Sequence, residues 1–247
     1  MLVVFTTTLI EAKSIVVDYV VEFGIVGQVG QVHTQYNDDG KSYIIDTNLS
    51  TVGMLAKTAT NNLKERHICK GFITKKGMRI ANSYQMLKTY GEYKSMTLYT
   101  VNHKSKKVTK LYRKWKKQKN NTYRKIHDYT TRLKYYATDD MVTLFLNLGQ
   151  HIKHKYRSKK YVFKAVGADK KNGRVDIHIP NKKEAHAMST LVGKVNKGEW
   201  LMNLVMHRKL YGSKKGELMV RMNKESMIEK AVLKDLLLFG DVRIIKQ

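Results

Sequence analysis

Two kinds of residue in this chain could do chemistry. The first is a dense run of cations: Lys104, Lys106, Lys107, Lys110, Arg113, Lys114, Lys116, Lys117, Lys119, Arg124 and Lys125, with no acidic residue after Lys104 until Asp128. An ordinary solvated helix interleaves Glu with Lys at i,i+4 for a few tenths of a kcal/mol per pair. This run forgoes that and accepts like-charge repulsion. Phosphates would relieve it, each neutralised phosphate releasing counterions and steepening the salt dependence of binding. A second cluster, Lys153, Lys155, Arg157, Lys159 and Lys160, and two turn pairs, Lys170-Lys171 and Lys214-Lys215, could extend one positive face. Tyr112, Tyr123, Tyr129, Tyr135, Tyr136, Tyr156 and Tyr161 crowd the same region. Tyrosine at this spacing serves either as core or as a stacking surface for bases.

The second kind is a set of acid and histidine fragments. Glu92-Tyr93-Lys94 before a strand has the E-x-K form of a metal-dependent nuclease core, where a carboxylate holds Mg²⁺ and a lysine supports the attack. Such a core needs another acidic residue a short way upstream, and none lies between Glu65 and Glu92, Asp46 being the next by type. Gly24-Ile25-Val26, Gly40-Lys41-Ser42-Tyr43-Ile44 and Asn62-Leu63-Lys64-Glu65-Arg66 resemble, in their order, the GIY-YIG nucleases. Val26 and Ile45 replace that family's tyrosine and glycine, and its metal-ligand glutamate is missing. His178, Asn181 and His186 resemble part of an HNH site whose second half is absent. There is no P-loop, dinucleotide fingerprint, nucleophile elbow or histidine-rich cluster.

Composition sets the frame for both. The chain has 247 residues, 47 Lys+Arg against 20 Asp+Glu, and a formal net charge of +27. Self-repulsion of that size opposes a compact state and points to a polyanionic partner. The excess is uneven: residues 1–65 carry 4 basic and 7 acidic residues, residues 66–137 carry 20 and 2, and residues 138–247 carry 23 and 11. Lysine outnumbers arginine 37 to 10, which favours phosphate contact over bidentate reading of guanine. AT-rich codons, as of a phage, an organelle or an AT-rich bacterium, give the same bias. One cysteine, Cys69, allows no intrachain disulfide and no cysteine-based zinc site. No apolar run reaches the roughly 18 residues that span a bilayer, and neither a signal peptide nor a lipidation motif is seen. The expected location is cytoplasmic, with no membrane partner.

The elements that must position these residues follow from periodicity. The stretch Ile10 to Phe23 fits a helix or a buried strand equally. A hairpin is expected at 31–36 and 42–46 around Asp39-Gly40, a helix from about Ser50 to Glu65, and strands at 68–74, 78–86 and 95–102. Val108, Tyr112, Trp115, Ile126, Tyr129, Leu133 and Tyr136 fall on a 3-and-4 stripe interrupted at Lys119 and Thr122, which predicts a long basic helix from Val108 to Ala137, broken or kinked at Asn120-Asn121. Thr138-Asp139-Asp140 caps a helix ending near His154. A hairpin follows at 161–168 and 174–179, then a helix from Asn181 with a capping-box Glu184 to about Val195. A further hairpin is expected at 200–210 and 217–222, a helix at 224–239 and a strand at 242–245. A winged-helix arrangement over 50–86, with a helix from Asn61 to about Lys70 presenting Lys64 and Arg66, is also available.

The expectation is an α+β protein of mixed β-hairpins, a long basic central helix and several shorter helices. It divides into residues 1–137 and 138–247, or forms one domain. It is expected to bind nucleic acid, DNA ahead of RNA, through the phosphate backbone, with weak sequence specificity, no catalysis and no cofactor. An alternative is a metal-dependent endonuclease using Glu92 and Lys94 with Mg²⁺. A further alternative is a structural or ribosome-associated RNA-binding protein.

Overall fold

The computed structural model describes residues 12–168, 171–206, 217–236 and 240–247. Its frame is one sheet of fifteen strands with three short α-helices among the described residues, so the fold is mostly β and not the expected α+β, and the long central helix does not exist. Eight strands run as an antiparallel meander: β1 (Lys13–Phe23), β2 (Gly27–Asp38), β3 (Ser42–Thr51), β4 (Lys64–Ile73), β5 (Arg79–Tyr90), β6 (Tyr93–Asn102), β7 (Lys107–Lys117) and β8 (Tyr123–Arg132). A short helix, α1 (Met54–Ala59), interrupts them between β3 and β4. After β8 come β9 (Asp139–Asp140), α2 (Met141–His151), β10 (Lys159–Val166), β11 (Arg174–Ile179), α3 (Lys182–Val192), β12 (Trp200–Met206), β13 (Glu217–Met222), β14 (Ile228–Leu236) and β15 (Gly240–Lys246). The hydrogen-bonded order is β8-β7-β6-β5-β4-β3-β2-β1-β15-β14-β13-β12-β11-β10-β9. Only β9 and β10 are parallel; the junction between the two runs is β1 against β15, with Val20 opposite Ile245.

One face of this sheet wraps α2. Leu144 and Leu148 of α2 are fully buried and pack among Ile177, Trp200, Met202, Val220 and Ala231. Tyr36, Tyr43, Ile45, Cys69, Tyr84, Tyr99 and Val108 continue the same lining, with Val142 and Leu146 of α2 packed against them. Asp140 sets the start of the helix. Its carboxylate accepts from the backbone N–H of Val142 (2.8 Å) and Thr143 (3.0 Å), from the Thr143 hydroxyl (2.7 Å) and from the Cys69 thiol (3.1 Å). Burial raises its pKa despite those donors. Asn147 ties the helix to β5, donating to the Arg79 carbonyl at 2.8 Å and accepting from its N–H at 3.2 Å. The segment after β8 crosses beneath this face: the Leu133 N–H reaches the Val108 carbonyl, and the Ala81 N–H reaches Thr138. α2 leaves a cavity of about 340 Å³ beside Ile15, Val17, Val142, Phe145 and Ile228. On the opposite face, Met188 and Val192 of α3 pack on Leu201 and Val232. Among the described residues no helix is long and apolar enough to cross a membrane.

Two expected helices are strands over their described residues (237–239 lie outside them) and a third is cut short, for identifiable reasons. The run from Val108 to Arg132 is rich in Val, Thr, Tyr, Trp and Ile, which suit a pleated surface. Its 3-and-4 stripe is coincidental, since Tyr112 and Trp115, an odd number of residues apart, face opposite sides of β7. Asn120-Asn121 is indeed where the chain breaks, as a turn with Asn121 at φ 64° and the Asn120 side chain accepting from Thr122. The segment 224–239 is composed like a helix, but Asn223 folds a tight turn by accepting from the N–H groups of Glu225 and Met227. β14 is then captured between β13 and β15. The expected helix at 50–65 shrinks to α1 because Asn61 and Asn62 take positive φ and launch β4. That removes the winged helix, since Lys64 and Arg66 lie on a strand and Arg66 grips Asp46.

The hairpin of β2 and β3 stands as expected, and β10 pairs with β11 and β12 with β13, residues 169–170 and 207–216 of those two lying outside the described residues; the Asp140-capped α2 and the Asn181–Glu184 capping box of α3 are also found. Ile10 to Phe23 resolves as a strand from Lys13 on. Gly71 is required by a close approach: a Cβ there would overlap the Ile80 carbonyl oxygen and come within 2.7 Å of the Tyr43 ring.

Candidate nucleic-acid interface

Register across β5, β6, β7 and β8 lines side chains into rows on one face. Tyr84, Tyr99, Lys110 and Thr131 form the first row, and Met86, Thr97, Tyr112 and Tyr129 the second. Lys88, Ser95, Lys114 and His127 form the third, and Tyr90, Tyr93, Lys116 and Arg124 the fourth. The first row closes the core, with Tyr84 and Tyr99 buried and stacked at 5.9 Å. Beyond it the face carries aromatic and cationic side chains, and no position in the four rows is acidic.

Two pairs of rings stand on this platform. Tyr90 and Tyr93 stack at 5.6 Å, and Tyr112 and Tyr129 meet at 5.2 Å, with Tyr129 46% exposed. Lysines lie against the rings. The Lys114 ammonium is 4.1 Å from the Tyr93 centroid and 5.7 Å from that of Tyr90, Lys110 is 5.6 Å from Tyr112, and Lys88 is 5.5 Å from Tyr90. A hydrogen bond with the Tyr90 hydroxyl raises the pKa of Lys114, so it holds its charge throughout the neutral range. At the inner border, Glu65 of β4 binds Lys88 at 2.7 Å and His67 at 3.3 Å. Burial alone would raise the Glu65 carboxyl, but these partners outweigh it and bring the pKa down to about 2.

The eleven cations of the segment 104–125 are therefore divided. Lys110, Lys114, Lys116 and Arg124 stand on the platform, whereas Lys107, Arg113, Lys117 and Lys125 leave the opposite face. Lys104 and Lys106 lie in the β6–β7 turn, and Lys119 in the β7–β8 turn. On the opposite face Arg113 (3.1 Å) and Lys125 both hold Asp128, which lowers its carboxyl pKa. β8 is an edge strand, and its charged side chains also discourage pairing with another chain.

Lys153, Lys155 and Arg157 occupy the link from α2 to β10, and Lys159 and Lys160 open β10. β10 stands near the other end of the hydrogen-bonded order, so the register does not bring this cluster into the four rows. Lys155 and Lys159 lie instead over Trp200 (5.9 Å) and Tyr161 (5.4 Å). Of the two turn pairs, Lys170, Lys214 and Lys215 lie outside the described residues. Tyr135 is core, whereas Tyr156 is 74% exposed in the α2–β10 link.

Glu92 and Lys94 do not converge. Glu92 sits in the β5–β6 turn, 3.9 Å from the Lys116 ammonium, while Lys94 points to the opposite face with its ammonium 4.0 Å over the Tyr123 ring. Asp46 is taken up by Arg66 and Asn48. Gly24-Ile25-Val26 is a 3₁₀ turn, and His178 lies against Glu184 at 3.7 Å. Among the described residues no group of three or more His, Cys, Asp or Glu side chains gathers as a metal site would require.

Sequence reasoning missed Lys88, Tyr90 and Tyr93, which come from strands outside the basic run. The signal was a period of two: Tyr84, Met86, Lys88 and Tyr90 on β5, and Tyr93, Ser95, Thr97 and Tyr99 on β6, match Lys110, Tyr112, Lys114 and Lys116 on β7. Scans against protein-family models, curated proteins and solved structures each found no match for this chain.

Proposed function

We propose that this protein binds nucleic acid on the β5–β8 platform, holding phosphates with Lys88, Lys110, Lys114, Lys116 and Arg124 and showing little sequence preference. The observation that supports this reading is the four-row grid of cations and tyrosines on one sheet face with no carboxylate among them. A purely solvated edge needs lysines but no interleaved rings. Lysine contributes a mobile point charge, which follows a phosphate backbone without selecting a base. The net charge of +27 adds long-range attraction that raises the rate of encounter.

The test is equilibrium binding of labelled DNA and RNA, single- and double-stranded, by the full chain over a salt series without added metal. The expected result is log-linear weakening with salt, about 0.7–0.9 per phosphate contact. Absence of binding to every nucleic acid at low salt would overturn the proposal.

A further inference from the structure

Resting on that reading, we infer that the platform is a site for an unpaired strand, whose bases stack on the tyrosines while its phosphates meet the lysines between them. The banding of the face is the first argument. Row two ends in the Tyr112–Tyr129 pair, row three presents Lys88 and Lys114, and row four opens with the Tyr90–Tyr93 pair. The two ring pairs thus stand at diagonal corners of the face, Tyr112–Tyr129 on β7 and β8 and Tyr90–Tyr93 on β5 and β6, with Lys88 and Lys114 in the row between them. The pairs are offset by four residues along β5, β6 and β7, about 13 Å at a rise of 3.3 Å per residue, and by two strand spacings across, about 10 Å, which puts them about 16 Å apart on the diagonal. An unstacked chain offers the matching order of base, phosphate and base, and only an unpaired base has a free π-face to lay on a ring. In a duplex those faces are occupied by neighbouring bases, so the rings would gain nothing.

Width supplies the second argument. A two-stranded β-ribbon enters the major groove, which is about 12 Å wide. Here β7 is not the rim of a ribbon, because β6 and β5 continue the sheet on its other side. Three spacings of about 4.8 Å already separate the outer backbones of these four strands by about 14 Å before side chains are added. The face is too broad for the groove and suits a strand laid across it. The rings also belong to paired strands rather than loops, so little ordering entropy is lost when bases arrive. Glu65 forms an inner border by repelling phosphate and holding Lys88 in place at 2.7 Å.

The experiment uses the full chain and fluorescence anisotropy with labelled oligonucleotides of about 15 nucleotides, more than enough to cross the face. Single-stranded DNA, single-stranded RNA and a duplex of the same length are compared at one salt concentration. The single strands are expected to bind at least about tenfold more tightly than the duplex. Tyr112→Ala and Tyr129→Ala are each expected to weaken single-strand binding between about 5-fold and 100-fold, the worth of one stacked base. Tyr112→Phe, which keeps the ring, should retain it, and none of the three should change duplex affinity. Duplex binding as tight as single-strand binding, or single-strand affinity indifferent to both alanines, overturns this inference and leaves nucleic-acid binding standing. No binding to any of the three probes overturns both.

Discussion

The division of the basic run between two faces allows a charge-matched test. Consider the triple variant Lys114→Gln, Lys116→Gln, Arg124→Gln, which strips three cations from the platform, and a control, Arg113→Gln, Lys117→Gln, Lys125→Gln, which strips three from the opposite face. Both lower the net charge equally, so long-range attraction falls alike. Local phosphate contact does not. If each platform cation holds one phosphate of a single strand, the platform triple reduces the log–log salt slope by about 3 × 0.7, or about 2. Between 50 and 200 mM salt, a fourfold change, the parent chain should lose about 18-fold more affinity than the platform variant, while the control should track the parent. Anisotropy titrations at three or four salt concentrations suffice to measure this. The control is structurally mild, because Arg113 and Lys125 are partly exposed and their ion pairs, to the exposed Asp128, lie within the β7–β8 hairpin. Equal slope changes in the two triples would show that net charge, not the platform, governs binding, and would refute the assignment of a face.

Other perturbations probe the frame. Leu148→Ala, at a fully buried position of α2, should cost about 2–5 kcal/mol in urea or thermal unfolding, and a cost below 1 kcal/mol would contradict its place in the core. Gly71→Ala should destabilise at least as severely, read as loss of soluble folded protein, because the added carbon meets a backbone oxygen. Glu65 has a folded pKa of about 2 against 4.5 for the free side chain, so its stabilisation is complete above pH 4.5 and is lost as pH falls toward 2. Glu65→Gln should therefore narrow its stability gap to the parent over that window, on the order of 2–3 kcal/mol after allowance for solvent, and a gap constant with pH would rule the ion pairs out as its source.

Local signals were legible wherever one residue type dictates a turn or a cap. Asp39-Gly40, the Asn181–Glu184 box and Asp140 each announce their element, and each is found. What stayed hidden depended on partners distant in sequence. Ile228 to Leu236 has helix-forming residues, yet two neighbouring strands claim its backbone; no local pattern reports that competition. In the run from Val108 to Arg132, helical and extended periods overlap, and only the pairing of β7 with β6 decides between them. The interface was half legible for the same reason. Its charge is concentrated in one segment, but Lys88, Tyr90 and Tyr93 join it only through register.

The pairing of β1 with β15 has a consequence for how the chain is made. Tyr19 lies opposite Lys246, a contact between segments at opposite ends of the sequence, so the last register to form carries the greatest loop-closure cost. During synthesis at about 5–20 residues per second, β8 is complete roughly 6–23 s before β15 follows. Throughout that interval β1 presents an open strand edge over the residues that β15 will cover, Tyr19 to Phe23 being Tyr-Val-Val-Glu-Phe, without the cations Arg124, Lys125 and Arg132 that guard β8. Ribosome-arrested chains ending at Arg132 should therefore pair with one another, detectable by crosslinking, and chains carried through Gln247 should not. Completion of the sheet then depends on how long one of its middle strands, β1, waits for its neighbour β15, as well as on the stability of the finished pairing.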